Sequence, residues 1–284
     1  MRPKRHRDKL RFLDNDGKHA MKKIVFSDLD GTLINSDYEI TPATLGAIQN
    51  LQEKECPFVI VSARSPMGIE SVMKVYGIRC SIIALNGALI LDAQRKFIYA
   101  KGIRKSKAAV IIDFLERGGY DTTWCIYAFD QWLVKDVTDP RIVNEASVVK
   151  AVVENGTIGD VEGDEVHKIM CICDPDESLR LEKDLKAAFP KETVVRSSAV
   201  LIEIVHGSVS KSAAVRKFCD YYGTLPQNAV AFGDNDNDMD MLECVGTGIL
   251  MGNARDDLKQ RFANVTRDHN NDGIYHALVK LGMI

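Results

Sequence analysis

"FSDLDGTLI", residues 26–34, closes an apolar run with two aspartates two positions apart, followed by Gly-Thr. The run leading into it, 22–27 (KKIVFS), reads as a short buried strand, so Asp28 and Asp30 stand where a strand ends. Working outward, Thr41-Pro42 supplies a helix N-cap followed by proline at the first helical position. Leu45, Ile48 and Leu51 then repeat at helical spacing to about residue 55. "FVIVSAR" (58–64) is a second apolar strand, 66–76 suits a helix, and "CSIIALNG" (80–87) is a third strand. Strand, helix, strand, helix, strand predicts parallel pairing with right-handed crossovers.

The rhythm changes after Gly87. Strand-like runs surround Leu89–Leu91, Phe97–Tyr99, Thr122–Ala128 and Gln131–Lys135, interrupted by a helical stretch from about 105 to 117. Residues 140–151 read as a helix, 155–164 (NGTIGDVEGD) as a Gly/Asp-rich loop and "HKIMCICD" (167–174) as a strand. A helix over 176–188 and two short strands over 192–205, broken at Ser197-Ser198, follow. Strands meeting through hairpins with helices on one face predict a separate α+β module. From about 208 the alternation returns: helix 211–222, strand "NAVAFGD" (228–234), helix 236–244, strand "TGILMG" (247–252), helix 254–261, a short strand near Val265 and a last helix from 273. The expected architecture is α/β, one domain split into 21–87 and 207–284 with an α+β module inserted at 88–206.

Composition narrows the class. The 284 residues are 45% hydrophobic and 27% charged, as in soluble globular proteins, and no apolar run is long enough to span a bilayer. The N-terminus is basic but lacks the apolar stretch of a secretory signal. Seven cysteines without a C-x-x-C pair read as reduced thiols of a cytoplasmic protein, neither a disulfide frame nor a zinc site. Residues 1–20 carry a net charge of +4 and the remainder −7. The tail reads as a basic disordered segment, and the acidic remainder argues against a nucleic-acid partner.

In an open α/β sheet, ligands bind beyond the carboxyl ends of the strands. Three strand ends carry polar chemistry: Ser27-Asp28-Leu29-Asp30-Gly31-Thr32, Ser62-Ala63-Arg64, and Gly233-Asp234-Asn235-Asp236-Asn237-Asp238. With these strands adjacent, at least three carboxylates converge. Two like charges about 4 Å apart repel by roughly 4 kcal/mol at an effective dielectric of about 20. A cation relieves this, and oxygen donors without His or Cys point to Mg²⁺, which can also bridge to a phosphate oxygen. A lone D-x-D is more often a turn or helix cap, but that reading would have to hold at two strand ends at once. Toward phosphorus, one carboxylate can attack to form an aspartyl phosphate. A second, two residues on past a bend for which Gly31 supplies the backbone freedom, can protonate the leaving alkoxide and later activate water. Lys211 opens a helix where the dipole disfavours a cation unless an anion faces it, so it reads either as the natural charge neutraliser or as a solvated helix-start lysine. Ser62 can donate its hydroxyl or amide to phosphate.

The segments "DLDGT", "VSAR", "VSK" and "GDNDND", in this order, resemble the four motifs of the haloacid dehalogenase-like phosphatases. The ending "GDNDNDMDML…TGILMGNA…DDG" is similar to the Cof-type subfamily, and the resemblance covers about residues 22–284. It implies a Rossmann-like parallel-sheet core with the first strand central and a large α+β (type IIB) cap between the second and third motifs. It further implies Asp28 as nucleophile and Mg²⁺ ligand, and Asp30 as acid/base that also binds metal through its backbone carbonyl. Ser62, Lys211 and Asn237 would lie at phosphate with the backbone of Leu29 and Ala63; Asp234 would bind metal, and Asp238 would support the metal shell. His206 and Ser208 stand where family members often carry Pro and Gly, so His206 is expected either to reach substrate or to be a surface histidine. The aromatic cluster Trp124, Tyr127, Phe129 and Trp132 reads as core, with any member facing the cleft able to stack on a substrate ring.

The expected activity is Mg²⁺-dependent hydrolysis of a small phosphomonoester in the cytoplasm, with sugar phosphates first, then flavin mononucleotide and pyridoxal phosphate. A phosphomutase of the phosphomannomutase type shares the fold and the D-x-D. A non-catalytic regulator that binds phosphorylated metabolites is the rival outside catalysis, and the intact Asp28, Asp30, Lys211 and Asp234 weigh against it. The expected partner is a small phosphorylated metabolite, with neither nucleic acid nor membrane.

Overall fold

The computed structural model describes residues 23–149 and 151–284, so the basic tail at 1–20 lies outside the described residues. Its first part runs β1 (Ile24–Asp28), α1 (Pro42–Glu53), β2 (Phe58–Val61), α2 (Pro66–Tyr76), β3 (Ser81–Ala84), β4 (Leu89–Leu91) and β5 (Phe97–Ala100). The middle holds β6 (Ile103–Arg104), α3 (Lys105–Arg117), β7 (Thr122–Ala128), β8 (Gln131–Val134), α4 (Pro140–Val149), β9 (Glu154–Asn155), β10 (Glu165–Val166), β11 (Lys168–Cys173), α5 (Pro175–Ala188), β12 (Glu192–Arg196) and β13 (Leu201–His206). The last part is α6 (Lys211–Tyr222), β14 (Ala229–Gly233), α7 (Met239–Cys244), β15 (Thr247–Leu250), α8 (Asp256–Arg261) and α9 (Gly273–Lys280).

Helix boundaries follow local chemistry. The Thr41 hydroxyl accepts from the Thr44 amide at 3.3 Å and Pro42 opens α1. Ser65 caps α2 in the same way, with Pro66 first and Gly77 ending it in the left-handed conformation, φ 63°.

The strand that carries the two aspartates is central in a seven-stranded sheet of order β15-β14-β1-β2-β3-β4-β5. Pairing is parallel from β15 through β3. Ile24 and Phe26 face a layer with Phe218, Met241 and Leu258 of α6, α7 and α8. Val25 faces the opposite layer with Ile48, Ile69 and Leu278 of α1, α2 and α9. Burial on both faces is why these strands read as continuous apolar runs without alternation.

The inserted segment differs from its expected limits. β4 and β5 return antiparallel beside β3 (Ile82↔Leu91, Leu89↔Ala100) and extend the large sheet, so sheet membership moves the start of the insertion from residue 88 to about 101. An apolar triplet such as Leu89–Leu91 carries no mark of which sheet it joins. The second sheet, β12-β13-β11-β7-β8-β9, is antiparallel apart from β8–β9. One face, with Trp124, Ile126, Ile169 and Ile204, packs under α3 and α5. The other, with Cys125, Tyr127, Met170 and Val205, is continuous with the apolar interior of the large domain, so this module closes on the core as a cap. The seven cysteines are free thiols, and burial raises the Cys171 thiol well above its ordinary range. No helix among the described residues is long and apolar enough to cross a membrane.

Candidate active site

Register puts the functional groups together. In the parallel pair β1–β14, Ser27 lies opposite Phe232, so Asp28 and Asp234 leave neighbouring strands at the same edge. On the other side Asp28 pairs with Val61, which delivers Ser62-Ala63-Arg64 to that edge as well. Beyond Asp28 the chain turns back: the amides of Leu33 and Ile34 both donate to the Leu29 carbonyl at 3.0 Å. The turn depends on Gly31, whose φ is +79° and where a Cβ would lie 2.6 Å from Asp234 Oδ2. The Thr32 hydroxyl donates to Asp234 Oδ1 at 2.8 Å, and Asn253 Nδ2 donates to the Gly31 carbonyl at 2.8 Å.

Lys211 is the first residue of α6, capped by Ser210, and only 1% exposed. Its Nζ donates to Asp28 Oδ1 at 2.6 Å and to Asp238 Oδ1 at 2.5 Å. Carboxylate oxygens of Asp28, Asp234 and Asp238 lie within 4.8 Å of one another. One ammonium does not neutralise three carboxylates. Burial and the Asp238 charge push Asp28 well above the usual carboxylate range against the pull of Lys211. The same two causes raise Asp234 to about 6. A buried, oxygen-only, under-compensated cluster of this kind fits a hard divalent cation. Asp28 and Asp234 have oxygens to offer it. Asp238 is more fully used: its second oxygen accepts from the Asp234 and Asn235 amides, both at 2.9 Å.

Asp30 points elsewhere. Its half-exposed carboxylate is gripped by Arg64, with Nε to Oδ2 at 2.8 Å and Nη2 to Oδ1 at 2.5 Å. Ser62 is buried and its hydroxyl accepts from the Arg64 amide at 3.1 Å. Leu29 is fully buried between the two aspartates, and Asn237 lies in the 3-10 turn Asp236–Asp238. His206 turns into its own loop, its Nδ1 meeting the Ser208 hydroxyl at 2.9 Å.

The chain's similarities agree with this geometry. The sequence model described as haloacid dehalogenase-like hydrolase matches residues 25–278. The chain belongs to the haloacid dehalogenase-like hydrolases. Within that family it is of the Cof type and a phosphoric monoester hydrolase. A Haemophilus influenzae protein, provisionally named a phosphatase, is 37% identical over 255 residues, 89% of this chain and 96% of its own length. The Bacillus subtilis phosphatase YwpJ is 27% identical over 91% of this chain and 99% of its own. The crystal structure of a Thermotoga maritima protein superposes with a TM-score of 0.82 at 27% identity, covering 92% of this chain and 97% of that one.

Several residues near the site gave no signal of the role they play. Arg64 was legible only as the end of "VSAR", and Thr32 only as the end of "DLDGT". Lys168 and Glu203 do leave a trace, as lone charges inside the apolar runs "HKIMCIC" and "LIEIV". Both are buried on the core-facing side of the cap.

Proposed function

We propose that this hydrolase cleaves small phosphomonoesters by a Mg²⁺-dependent, two-step mechanism through an aspartyl phosphate on Asp28. The observation that carries the reading is the Lys211-bridged pair Asp28 and Asp238 beside Asp234, with a second carboxyl group, Asp30, two residues past the nucleophile and outside the cluster. Asp28, Asp234 and the backbone carbonyl of Asp30 would hold Mg²⁺, with Asp238 fixing the loop behind them. When bound, the cation supplies charge neutralisation at the phosphate oxygens. Asp28 attacks phosphorus in line, and Lys211, released in part from Asp28, donates to a phosphate oxygen. Ser62 and the backbone at Leu29 and Ala63 complete the cradle, with Asn237 at its rim. Asp30, once let go by Arg64 and protonated, would deliver that proton to the leaving alkoxide and then take one back from the water that hydrolyses the acyl phosphate.

The cap supports a polar, hydroxyl-bearing leaving group. Tyr127 stacks on Trp132 at 5.4 Å and Trp124 packs under α3, which leaves these rings engaged in packing and not offered to a planar substrate. Burial raises the carboxyl of Glu145 in α4, which lies in the field of Lys168 and Glu203 of the cap and Arg64 and Asp30 of the core. This favours sugar phosphates over flavin mononucleotide or pyridoxal phosphate. A panel of phosphorylated metabolites assayed for released inorganic phosphate, with Mg²⁺ and with excess EDTA, tests the reading. Full turnover in EDTA, or an isomeric sugar phosphate in place of inorganic phosphate, would overturn it.

A further inference from the structure

A second group of buried charges lies apart from the carboxylate cluster. Lys168 of β11 and Glu203 of β13 are 3% and 4% exposed, and Nζ meets Oε1 at 2.8 Å. They share one face of the cap sheet, because Lys168 lies opposite Tyr127 and Met170 opposite Glu203, and that face closes on the core. Each also reaches across to the core. Lys168 Nζ donates to the Ala63 carbonyl at 2.9 Å, and Asn86 Nδ2 donates to Glu203 Oε2 at 2.6 Å.

These bonds converge on the loop 62–64. The Asn86 amide donates to the Ser62 carbonyl and the Leu85 amide to the Arg64 carbonyl, both at 3.0 Å. All three carbonyls of Ser62-Ala63-Arg64 are therefore held, and the donor to the middle one comes from the cap. The core segment that supplies the other two is strained. Leu85 and Asn86 have φ of 53° and 57°, and Gly87 has φ +105° where a Cβ would meet the Ser210 carbonyl at 2.4 Å. The segment thus presses against the residue that precedes Lys211. Strained backbone persists only where its surroundings over-determine it, and a buried ion pair is a weak source of stability because desolvation offsets the attraction. Stability alone does not account for either feature.

We propose that Lys168, held by Glu203, which Asn86 binds in turn, is a positioning residue that fixes the Ala63 carbonyl, so that the phosphate cradle at Ser62-Ala63 is complete only while the cap is closed. This rests on the reading of that loop as the phosphate cradle. Lys168 touches no reacting atom; it acts through the backbone of Ala63.

The test is inorganic phosphate binding by calorimetry in saturating Mg²⁺, with Mg²⁺ affinity measured separately. Lys168→Met alone would strand Glu203 in the interior, so the principal variant is Lys168→Met with Glu203→Gln, which removes both charges and keeps a hydrogen-bonding group facing Asn86. Phosphate affinity is expected to fall about tenfold with Mg²⁺ affinity unchanged, and Lys168→Arg, which retains a donor, is expected to recover most of it. Glu203→Gln alone is the milder second variant and should give an intermediate loss. Phosphate affinity within twofold of wild type in both the double and the single variant overturns the clasp. So does a parallel fall in Mg²⁺ affinity, which would mark a general structural collapse. Wild-type protein that binds Mg²⁺ but no phosphate overturns the cradle reading and the clasp with it.

Discussion

Lys211→Met removes the ammonium that bridges Asp28 and Asp238, and its consequences follow from the distances. At 2.6 and 2.5 Å the gross attraction is about 6 kcal/mol per pair at an effective dielectric of about 20, most of it offset by desolvation of a side chain that is 1% exposed. The larger effect is what the substitution leaves behind. Carboxylates within 4.8 Å of one another repel by roughly 3–4 kcal/mol per pair at the same dielectric. Breaking a buried charge network by removing one partner typically costs about 3–5 kcal/mol. At about 2–4 °C per kcal/mol for a chain of this size, the metal-free variant should melt about 6–20 °C below wild type at pH 7.5.

Two further readings separate this electrostatic cause from lost packing. Acid should shrink the deficit, because Asp28 and Asp234 already titrate above the usual range and lose the opposing pull of Lys211 in the variant. Mg²⁺ should raise the variant's midpoint by more than it raises that of wild type, since it replaces the missing charge. Thermal unfolding followed by circular dichroism, with EDTA and with Mg²⁺ at pH 7.5 and 5.5, measures all three. A deficit below about 1 kcal/mol in EDTA, or one indifferent to both acid and Mg²⁺, would refute the reasoning.

Gly31→Ala forces a side chain into a left-handed turn with a Cβ 2.6 Å from Asp234 Oδ2, so Mg²⁺ affinity by calorimetry should fall at least about tenfold, with about 1–3 kcal/mol of stability lost. Asp234 is raised from 3.8 to about 6, so between these pH values the metal-free fold holds a proton that the unfolded chain lacks; that contribution is fully present below about pH 4 and is lost as pH rises through 6. Mg²⁺ binding should therefore release protons at pH 5.5 and far fewer at 7.5, which the buffer dependence of the binding enthalpy reports. Asp28→Asn should abolish turnover and any phosphoenzyme. Asp30→Asn should lose about 10²–10⁴-fold yet accumulate phosphate on Asp28 with an activated aryl phosphate, read by rapid-quench mass spectrometry of the peptide 24–34.

The parts of this fold that were legible are those in which a local rule acts alone. Thr41 and Pro42 announced the start of a helix, and the doubly buried strands 24–28 and 58–61 showed as the apolar runs read over 22–27 and 58–64. The carboxylates were legible because charge at the end of such a run has no packing explanation. β4 and β5 were misplaced because sheet membership is decided by a non-local pairing that three apolar residues cannot encode. The grip of Arg64 on Asp30 and the reach of Lys168 to Ala63 were invisible for a related reason: partners 34 and 105 positions apart are joined only by topology.

Asp238 shows what hydrogen bonds add to the division of roles that the motif resemblance implies. "GDNDND" offers three aspartates within five residues, and nothing in their spacing ranks them. Hydrogen bonds do. Asp236 is exposed and pairs with Arg255 at 2.8 Å, outside the cluster. Asp238 gives one oxygen to Lys211 and the other to two backbone amides, so three of its roughly four lone-pair positions are already taken. Asp234 accepts a single side-chain bond, from Thr32 to Oδ1, and its Oδ2 accepts none. The division follows from this accounting. Asp234 is the carboxylate available to a cation, Asp238 holds both the loop that presents it and the lysine that balances it, and Gly233 permits the close approach because a Cβ there would lie 2.4 Å from that of Asp238.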